Sequence, residues 1–338
     1  MKLLSALCLF VSLCTNAQKD TIENIVFEGA GIRGIAYAGA IQELEQKGLL
    51  ENIKRVGGTS AGAVTALLLS LNYTSEEIAT IVTSTSFSNF NDGRFFLFGG
   101  VNRLQKWYGW YRGKRFENWL SALVAAKTGN ADITFLALHQ KGGKDLYVTG
   151  TSLNGQKLIV FSAETYPHMK VKDAVRISMS IPLYFEAVFI DSIGNVVTHP
   201  KNRNGLDVVL DGGFVANFPI KLFDSTKYIA SFEPNRFTSN KRTLGFRIDG
   251  EAQIQNDSAQ KGLTEMRVTN IKEYMTAFYT LVLENLNRQT LTEGDWKRTV
   301  SISDGAVGPR IRKLQPYEVE RLMENGRAAT EKYFKSGN

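Results

Sequence analysis

Apolar residues along the chain fall into short β-branched or aromatic runs and into longer stretches with helical spacing. Runs at residues 24–27, 53–56, 207–210, 228–232 and 245–248 predict buried strands. Those at residues 146–149 and 158–161, separated by Asn154-Gly155, predict a hairpin. Helices are predicted over residues 35–47, 61–71 and 171–178 and from Pro316 onward. Strands that alternate with helices predict an α/β fold.

The C-terminal part of the chain contains one further strong pattern. Apolar residues recur there at helical spacing, at Ile271, Tyr274, Met275, Phe278, Leu281, Val282 and Leu286. We expect this stretch to form an amphipathic helix that packs on the sheet. Residues 249–262, which precede it, are polar and predict a loop.

The composition is that of an ordinary globular protein. The 338 residues are 43% hydrophobic and 22% charged, and the chain is long enough to bury a sizeable core. The net charge of +7 weakly favours acidic partners. The basic residues are scattered, however, and form no nucleic-acid-binding motif. We therefore expect no nucleic-acid partner, and no motif indicates an oligomeric state.

The first 17 residues predict a targeting segment rather than part of the fold. Lys2 is followed by an apolar run over residues 3–13, and residues 15–17 resemble a cleavage site. The run is too short to span a bilayer. We expect export to a periplasmic, secreted or outer-membrane-associated location, with residues 18–338 as a single domain. Lipid attachment at Cys14 is the less favoured alternative, because bulky Leu13 departs from the lipoprotein pattern.

Both cysteines, Cys8 and Cys14, lie inside this segment. A mature chain without cysteine excludes disulfides, thiolate zinc sites and a cysteine nucleophile. No cluster of histidine and carboxylate residues has the spacing of metal ligands, so we expect neither a metal nor an organic cofactor.

A G-x-S-x-G pattern lies between the strand that ends near Val56 and the helix of residues 61–71. This pattern carries chemistry when a strand turns sharply into a helix with serine at the apex. Ser60 is then the nucleophile, and Gly58 and Gly62 leave room for the strained turn. The alternative is an ordinary strand-to-helix turn without chemistry.

A second glycine-rich stretch follows the first strand and consists of Gly29, Ala30, Gly31, Ile32, Arg33 and Gly34. A strand, a glycine loop and a helix also describe a dinucleotide-binding turn. That interpretation is weak because no acidic residue ends the second strand. We expect instead a loop whose backbone N–H groups bind an oxyanion. A turn without chemistry is the other alternative.

The base that activates Ser60 has two candidate sources. Asp211 ends a predicted strand and is followed by Gly212-Gly213, and catalytic groups gather at the carboxyl ends of strands in open α/β sheets. Burial beside Ser60 would raise the pKa of Asp211 and make it a better base. The alternative is a triad through His199 with Asp207 or Asp211. The remaining histidines, His139 and His168, lie in no motif.

Four motifs together resemble those of the patatin-like phospholipase family. Residues 29–34 resemble its glycine-rich oxyanion loop, and residues 58–62 its nucleophile elbow. Residues 178–185 resemble its Ser-x-x-x-Pro-x-x-Phe segment, and residues 211–213 its Asp-Gly-Gly. The resemblance covers residues 25–219. Ala30 departs from it, since the family usually has glycine there; alanine would strain the loop if that position needs a positive φ.

The resemblance implies a three-layer α/β fold with an open, mostly parallel sheet and helices on both faces. It also implies a lipid acyl hydrolase that cleaves phospholipid or lysophospholipid esters through a Ser60–Asp211 dyad and touches the membrane surface transiently. Two alternatives stay open. One is an esterase or thioesterase for other substrates, and the other is an inactive lipid-binding module, which a strained Ala30 would favour.

Residues 73–120 form an aromatic-rich stretch that glycines interrupt, and we expect a helical insertion there. Its aromatic residues include Trp107, Trp110 and Trp119, interleaved with basic residues such as Arg103 and Arg112. One interpretation is a cap that holds acyl chains and touches a lipid interface. The other is ordinary packing in the core.

Overall fold

The computed structural model describes residues 21–93, 96–229, 239–285, 288–308 and 312–336. The predicted targeting segment, with Cys8 and Cys14, lies outside these residues. So do Leu286 of the predicted amphipathic helix and residues 230–232 of a predicted strand.

Ten strands are present in the described residues. They are β1 Asn24–Phe27, β2 Arg55–Gly58, β3 Gly109–Tyr111, β4 Asp145–Ser152, β5 Lys157–Phe161, β6 Leu183–Phe185, β7 Val188–Ile190, β8 Asp207–Asp211, β9 Thr243–Asp249 and β10 Thr299–Ser303. Eight of them form one sheet in the order β10-β9-β1-β2-β4-β8-β7, with β5 paired to β4 outside that order. The strands from β10 to β4 run parallel, whereas β5 and β8 are antiparallel to β4. β3 and β6 form a separate parallel pair.

Helices surround this sheet. In the described residues they are α1 Ala36–Gln46, α2 Ala61–Ser70, α3 Ser75–Ser84, α4 Phe96–Trp107, α5 Lys114–Thr128, α6 Phe135–Gln140, α7 Val171–Ser178, α8 Gly213–Ala216, α9 Glu251–Ser258, α10 Ile271–Tyr279, α11 Glu293–Lys297 and α12 Pro316–Lys335. Alternate residues of β1 face opposite layers: Ile25 and Phe27 join the main core, while Val26 packs with Tyr147 and Phe223. The predicted three-layer, mostly parallel α/β sheet is therefore confirmed.

Helices α1 and α12 meet at their backbones and close one edge of the core. A Cβ atom on Gly39 would lie 1.8 Å from the Met323 carbonyl oxygen, and one on Gly326 would lie 1.9 Å from the Ala36 carbonyl oxygen. The C-terminal helix is thus an integral part of the fold, because only glycine permits this approach.

Two sequence-based expectations were wrong. The predicted loop of residues 249–262 contains helix α9. Of the strand predicted over residues 228–232, Tyr228 ends a 3₁₀ turn, and residues 230–232 lie outside the described residues. The amphipathic helix exists as α10 and continues as a π-helix over Thr280–Asn285. Its apolar side chains do not cover the sheet, however; Ile271, Tyr274 and Phe278 are exposed to solvent.

Candidate active site

Ser60 lies at the apex of the turn between β2 and α2, with φ of 53° and ψ of −121°. Residues that carry a side chain rarely adopt this conformation. The flanking glycines make the turn feasible: a Cβ atom on Gly58 would lie 2.4 Å from the Gly62 carbonyl carbon, and one on Gly62 would lie 2.4 Å from the Phe27 carbonyl oxygen. The G-x-S-x-G pattern therefore forms the strained strand–turn–helix that the sequence predicts.

Hydrogen bonds from neighbouring elements hold this turn. The Ser60 backbone N–H donates to the Ser178 hydroxyl oxygen at 2.8 Å. The Thr59 hydroxyl donates to the Ala216 carbonyl oxygen at 2.8 Å. The Ser60 hydroxyl also lies 3.4 Å from the Met179 sulfur. Sequence reasoning assigned no role to Ser178 or Met179, although both lie in the Ser-x-x-x-Pro-x-x-Phe segment.

Asp211 is the last residue of β8, and its carboxylate is buried. The Gly213 backbone N–H donates to Asp211 Oδ1 at 2.8 Å. The Ser60 hydroxyl, which donates to the Met179 sulfur, lies near enough to affect this carboxylate. Burial raises the pKa of Asp211 to about 7, and the Gly213 N–H and the nearby Ser60 hydroxyl oppose the increase in part. The carboxyl group is therefore close to its midpoint of ionisation at neutral pH.

Asp211 lies close to Ser60, but, contrary to the expectation from sequence, the strands that carry the two residues do not run in the same direction. Strand β8 is antiparallel to β4, with Asp211 opposite Gly150, whereas β2 is parallel to β4, with Gly58 opposite Val148. Strand β4 extends past the end of β2, and β8 runs back along that extension. The two residues therefore meet although their strands have opposite directions, and the rule for carboxyl ends of parallel strands does not explain their proximity.

The glycine-rich loop contacts the serine turn directly. A Cβ atom on Gly29 would lie 3.3 Å from Ser60 Cβ. Asn217 fixes this residue, since the Gly29 N–H donates to the Asn217 carbonyl oxygen at 3.0 Å and the Asn217 amide donates to the Gly29 carbonyl oxygen at 2.9 Å. The Gly29 N–H is thus not free to bind an oxyanion. Asn217 is a further residue that sequence reasoning missed.

Ala30 and Gly31 supply the backbone N–H groups that fit the predicted oxyanion loop. Both residues line the same cavity as Ser60, and neither N–H has an acceptor among the described residues. Gly31 has φ of 55°, whereas Ala30 has φ of −132°. The negative φ of Ala30 does not require glycine. The positive φ considered for Ala30 is therefore absent at that residue and falls on the adjacent glycine.

The other members of the predicted loop have packing roles. Ile32 is buried in the core, and a Cβ atom on Gly34 would lie 3.0 Å from that of Ala61 in the elbow helix. The Arg33 side chain is buried as well; its Nε donates to the Ala30 carbonyl oxygen at 3.2 Å. Arg33 Nη1 lies 3.9 Å from Asp304 Oδ2, so the guanidinium connects the loop to the C-terminal part of the sheet.

These elements enclose a cavity of about 560 Å³ with a mainly apolar wall. Ser60, Asp211 and the oxyanion loop form its polar end. Its apolar lining comes from two segments and consists of Ile181, Pro182, Leu183, Tyr184, Met275, Tyr279 and Leu283. The structure thus places a hydroxyl, a carboxylate and two free N–H groups at one end of a slot that suits an aliphatic chain.

The relationship to known proteins follows from the sequence. The sequence profile described as "Patatin-like phospholipase" matches residues 25–224, more than half of the chain. The chain belongs to the patatin-like phospholipase family. Protein YqhO of Bacillus subtilis (strain 168) is 34% identical over 216 residues, which are 60% of this chain and 67% of that protein. "Probable lipid hydrolase 463L" of Invertebrate iridescent virus 6 is 26% identical over 59% of this chain and 62% of that protein.

Solved structures have the same patatin-like fold at low sequence identity. VipD from Legionella pneumophila is 16% identical, with a TM-score of 0.55 over 94% of this chain and 67% of that protein. ExoU from Pseudomonas aeruginosa, in complex with SpcU, is 19% identical, with a TM-score of 0.50 over 93% of this chain and 53% of that protein. This chain thus spans about half to two thirds of the length of these proteins.

The histidines of this patatin-like protein lie away from Ser60. His199 lines another cavity, where Nε2 lies 3.0 Å from Glu186 Oε2 and the ring stacks on Trp107. His139 contacts Asp145 instead. Neither these two nor His168 lines the Ser60 cavity, so the geometry gives no support to a triad through His199. Among the described residues, no group of three or more His, Cys, Asp or Glu side chains could hold a metal ion.

None of the described residues of the aromatic stretch 73–120 lines the Ser60 cavity. Phe90, Phe116 and Trp119 pack against one another, with Phe90 and Phe116 buried. Trp107 packs on Phe189 and His199. The interpretation as core packing is the better one for these rings. The apolar wall of the Ser60 cavity comes instead from residues 181–184 and from α10 and its continuation.

Proposed function

We propose that this protein is a serine-dependent lipid acyl hydrolase that cleaves phospholipid or lysophospholipid esters. The observation that carries the proposal is the placement of the strained Ser60 and the buried Asp211 carboxylate together at the polar end of an apolar cavity. Membership of the patatin-like family supports the same activity, as does similarity to the viral protein described as a probable lipid hydrolase.

In the first half-reaction, the Ser60 oxygen attacks the ester carbonyl carbon while Asp211 accepts the hydroxyl proton. A carboxylate with an ordinary pKa near 4 is a weak base for a hydroxyl. The pKa of Asp211, raised to about 7 by burial, makes the transfer less unfavourable. The N–H groups of Ala30 and Gly31 stabilise the negative charge that develops on the carbonyl oxygen.

Collapse of the tetrahedral intermediate breaks the ester bond, and Asp211 gives its proton to the departing alcohol oxygen. The acyl group then remains as an ester of Ser60. In the second half-reaction, Asp211 takes a proton from water, and the hydroxide oxygen attacks the acyl carbon. The fatty acid leaves, and the proton returns to Ser60. Each proton taken by Asp211 is thus returned within the same half-reaction.

The cavity supports an aliphatic acyl group as the part of the substrate that is recognised. Seven apolar or aromatic residues line it, including Ile181, Met275 and Leu283. Lining of this kind stabilises a hydrocarbon chain by removing it from water. A small soluble acyl group would leave much of the lining unfilled, which favours long-chain esters over short ones.

A fluorophosphonate probe tests the assignment of Ser60. We expect covalent labelling of the wild type and none of Ser60→Ala, with Ser84→Ala, at an exposed serine of α3, as a serine control that still reacts. Absence of labelling in a folded wild-type protein would contradict the proposal. Comparison of phospholipid, lysophospholipid and p-nitrophenyl esters of increasing chain length then ranks the substrate classes; highest turnover with short soluble esters favours the esterase alternative.

We also propose export of the chain after removal of residues 1–17. The apolar run of residues 3–13 and the small residues before Gln18 support this location. Mass spectrometry of the protein from the exporting host tests it. The expected N-terminus is Gln18, whereas a lipid-modified Cys14 would identify the alternative.

A further inference from the structure

Helix α10 and the π-helix that follows it carry apolar residues on two sides. Met275, Tyr279 and Leu283 line the Ser60 cavity. On the outer side, Ile271 is 75% exposed, Tyr274 55%, and Phe278 and Leu281 49% each. A helix of a globular protein normally turns one apolar face toward the core and a polar face toward water. This helix has an apolar outer face that no other described element covers.

The exposed apolar residues of the chain are concentrated in this region. Seven of the fifteen large apolar side chains exposed in the described residues fall between residues 266 and 281. They include Met266 and Val268 in the extended segment before the helix. We call Met266, Val268, Ile271, Tyr274, Phe278 and Leu281 the outer apolar surface. A concentration of exposed apolar side chains of this kind marks an interaction site.

The charge around this surface identifies the kind of partner. Residues 261–285 contain three basic and three acidic residues, although the whole chain carries a net charge of +7. Glu273 is engaged in the helix start, where it accepts hydrogen bonds from the Thr269 N–H and hydroxyl groups. A neutral surface lacks the cluster of Lys and Arg that attracts anionic lipid. It matches a partner that is apolar and electrically neutral.

We propose that the outer apolar surface docks on the surface of a neutral or zwitterionic lipid assembly, such as a phosphatidylcholine membrane. The inference rests on the proposed function, because a lipid ester substrate resides in such an assembly. Ile271, Phe278 and Leu281 enter the acyl region, and the Tyr274 ring lies at the interface. Since α10 also lines the cavity, docking places the opening of the acyl slot against the lipid that supplies the chain.

The apolar lining of the cavity extends to the surface of the protein. Leu183 and Met275 line the cavity from its two apolar segments, and both side chains are exposed to solvent. The outer apolar surface and the lining of the cavity therefore share helix α10. No helix in the described part of the chain is long and apolar enough to cross a bilayer.

Binding to phosphatidylcholine vesicles tests the docking without catalysis. All variants carry Ser60→Ala, and bound protein is measured by co-sedimentation. We expect Ile271→Ser/Phe278→Ser to reduce the partition coefficient at least about tenfold, since each ring or branched chain loses its burial in the acyl region. The control Ile193→Ser/Tyr317→Ser removes two exposed apolar side chains elsewhere on the surface and should bind as before.

The dependence of vesicle binding on salt and on anionic lipid distinguishes apolar docking from attraction of the basic chain to anionic lipid. We expect binding that changes less than about threefold between low and high salt and on addition of phosphatidylserine, because neutral apolar insertion is insensitive to screening. Vesicle binding that requires phosphatidylserine and disappears in salt would overturn the proposal. So would equal binding of the double variant and its control.

Two further measurements separate lipid docking from catalysis and from self-association. Turnover of a soluble ester by Ile271→Ser/Phe278→Ser with Ser60 intact should match wild type, so that loss of vesicle binding is independent of esterase activity. If wild type binds vesicles but hydrolyses no ester, the docking stands and the proposed function fails. If light scattering gives a dimer that dissociates in the double variant, the surface is a self-association interface and the lipid proposal is wrong.

Discussion

The Ser60 backbone N–H and the Ser178 hydroxyl oxygen form a 2.8 Å hydrogen bond between two elements that are 118 residues apart. This contact links the strained serine turn to the end of α7. A residue at φ of 53° persists only where its surroundings hold it there. Ser178 is therefore a positioning residue for the proposed nucleophile.

Removal of that acceptor should lower activity more than stability. For Ser178→Ala we expect a decrease in kcat/KM of about tenfold or more, because the Ser60 turn relaxes, and a loss of about 1 kcal/mol in the free energy of unfolding. The control Ser180→Ala removes a neighbouring buried hydroxyl that bonds Arg176 instead. Equal kinetic effects of the two substitutions would contradict the positioning role.

The pH dependence of hydrolysis should report the ionisation of Asp211. With its pKa raised to about 7 by burial, kcat/KM for a soluble ester should fall about tenfold for each pH unit below that value, since the base must be ionised. His199→Gln is the control, and it should leave this fall in kcat/KM at low pH unchanged. A fall in activity centred near pH 4 would mean that the pKa of Asp211 is not raised, and one that disappears in His199→Gln would assign the base to that histidine.

The same burial has a consequence for stability. The pKa of Asp211 is about 7 in the folded protein and about 4 in the unfolded chain. Below about pH 4 the carboxyl group is protonated in both states and has no effect. As the pH rises from 4 to 7, the unfolded chain loses the proton first, so the folded state becomes relatively less stable.

Asp211→Asn removes this penalty and keeps an oxygen that accepts from the Gly213 N–H. We therefore expect its Tm to match wild type near pH 4 and to exceed it increasingly up to about pH 7, while hydrolysis is lost. Thermal unfolding of both proteins across that range measures the difference. A difference in Tm that is constant with pH would mean that the carboxyl group is not desolvated.

The family pattern points to Ala30 as the critical position of the oxyanion loop, but the backbone angles point to Gly31. We therefore expect substitution of Gly31 to be harmful and substitution of Ala30 by glycine to bring no gain. Gly31→Ala places a side chain at φ of 55° and should destabilise the protein by about 1–2 kcal/mol and reduce kcat/KM. Ala30→Gly restores the residue usual in the family, but the negative φ of −132° at this position does not require glycine. It should not raise kcat/KM; a large increase would show that Ala30 impairs the loop.

The sequence predicted the candidate site residues, but it did not predict the residues from distant segments that hold them in place. Gly58, Ser60 and Gly62 are constrained by local backbone geometry, and local geometry leaves a pattern of residues at fixed spacing. Asp211 follows a buried run that reads as a strand. The roles of Asn217 and Ser178 depend on contacts between distant segments, which no local pattern records. The catalytic roles of Ser60 and Asp211 stay predictions until the kinetics are measured.

For helix α10, the sequence predicted the element but not its environment. Its periodicity correctly predicted a helix, but the same periodicity is produced by packing on a sheet and by exposure at an interface. The apolar character of Ile271 and Phe278 therefore could not distinguish the two environments. Likewise, the aromatic residues of the 73–120 stretch have a composition compatible with a lipid-facing cap, yet Phe90 and Phe116 are buried.

The direction of β8 determines when the protein becomes reactive during synthesis. Asp211 reaches Ser60 only after β8 has returned along the extension of β4, and β9 must insert next to β1 from still later in the chain. In the proposed mechanism, a ribosome-bound chain that has emerged only through α7 holds the nucleophile but not its base. Hydrolysis by that mechanism is therefore withheld until β8 and β9, which ends at Asp249, have been made.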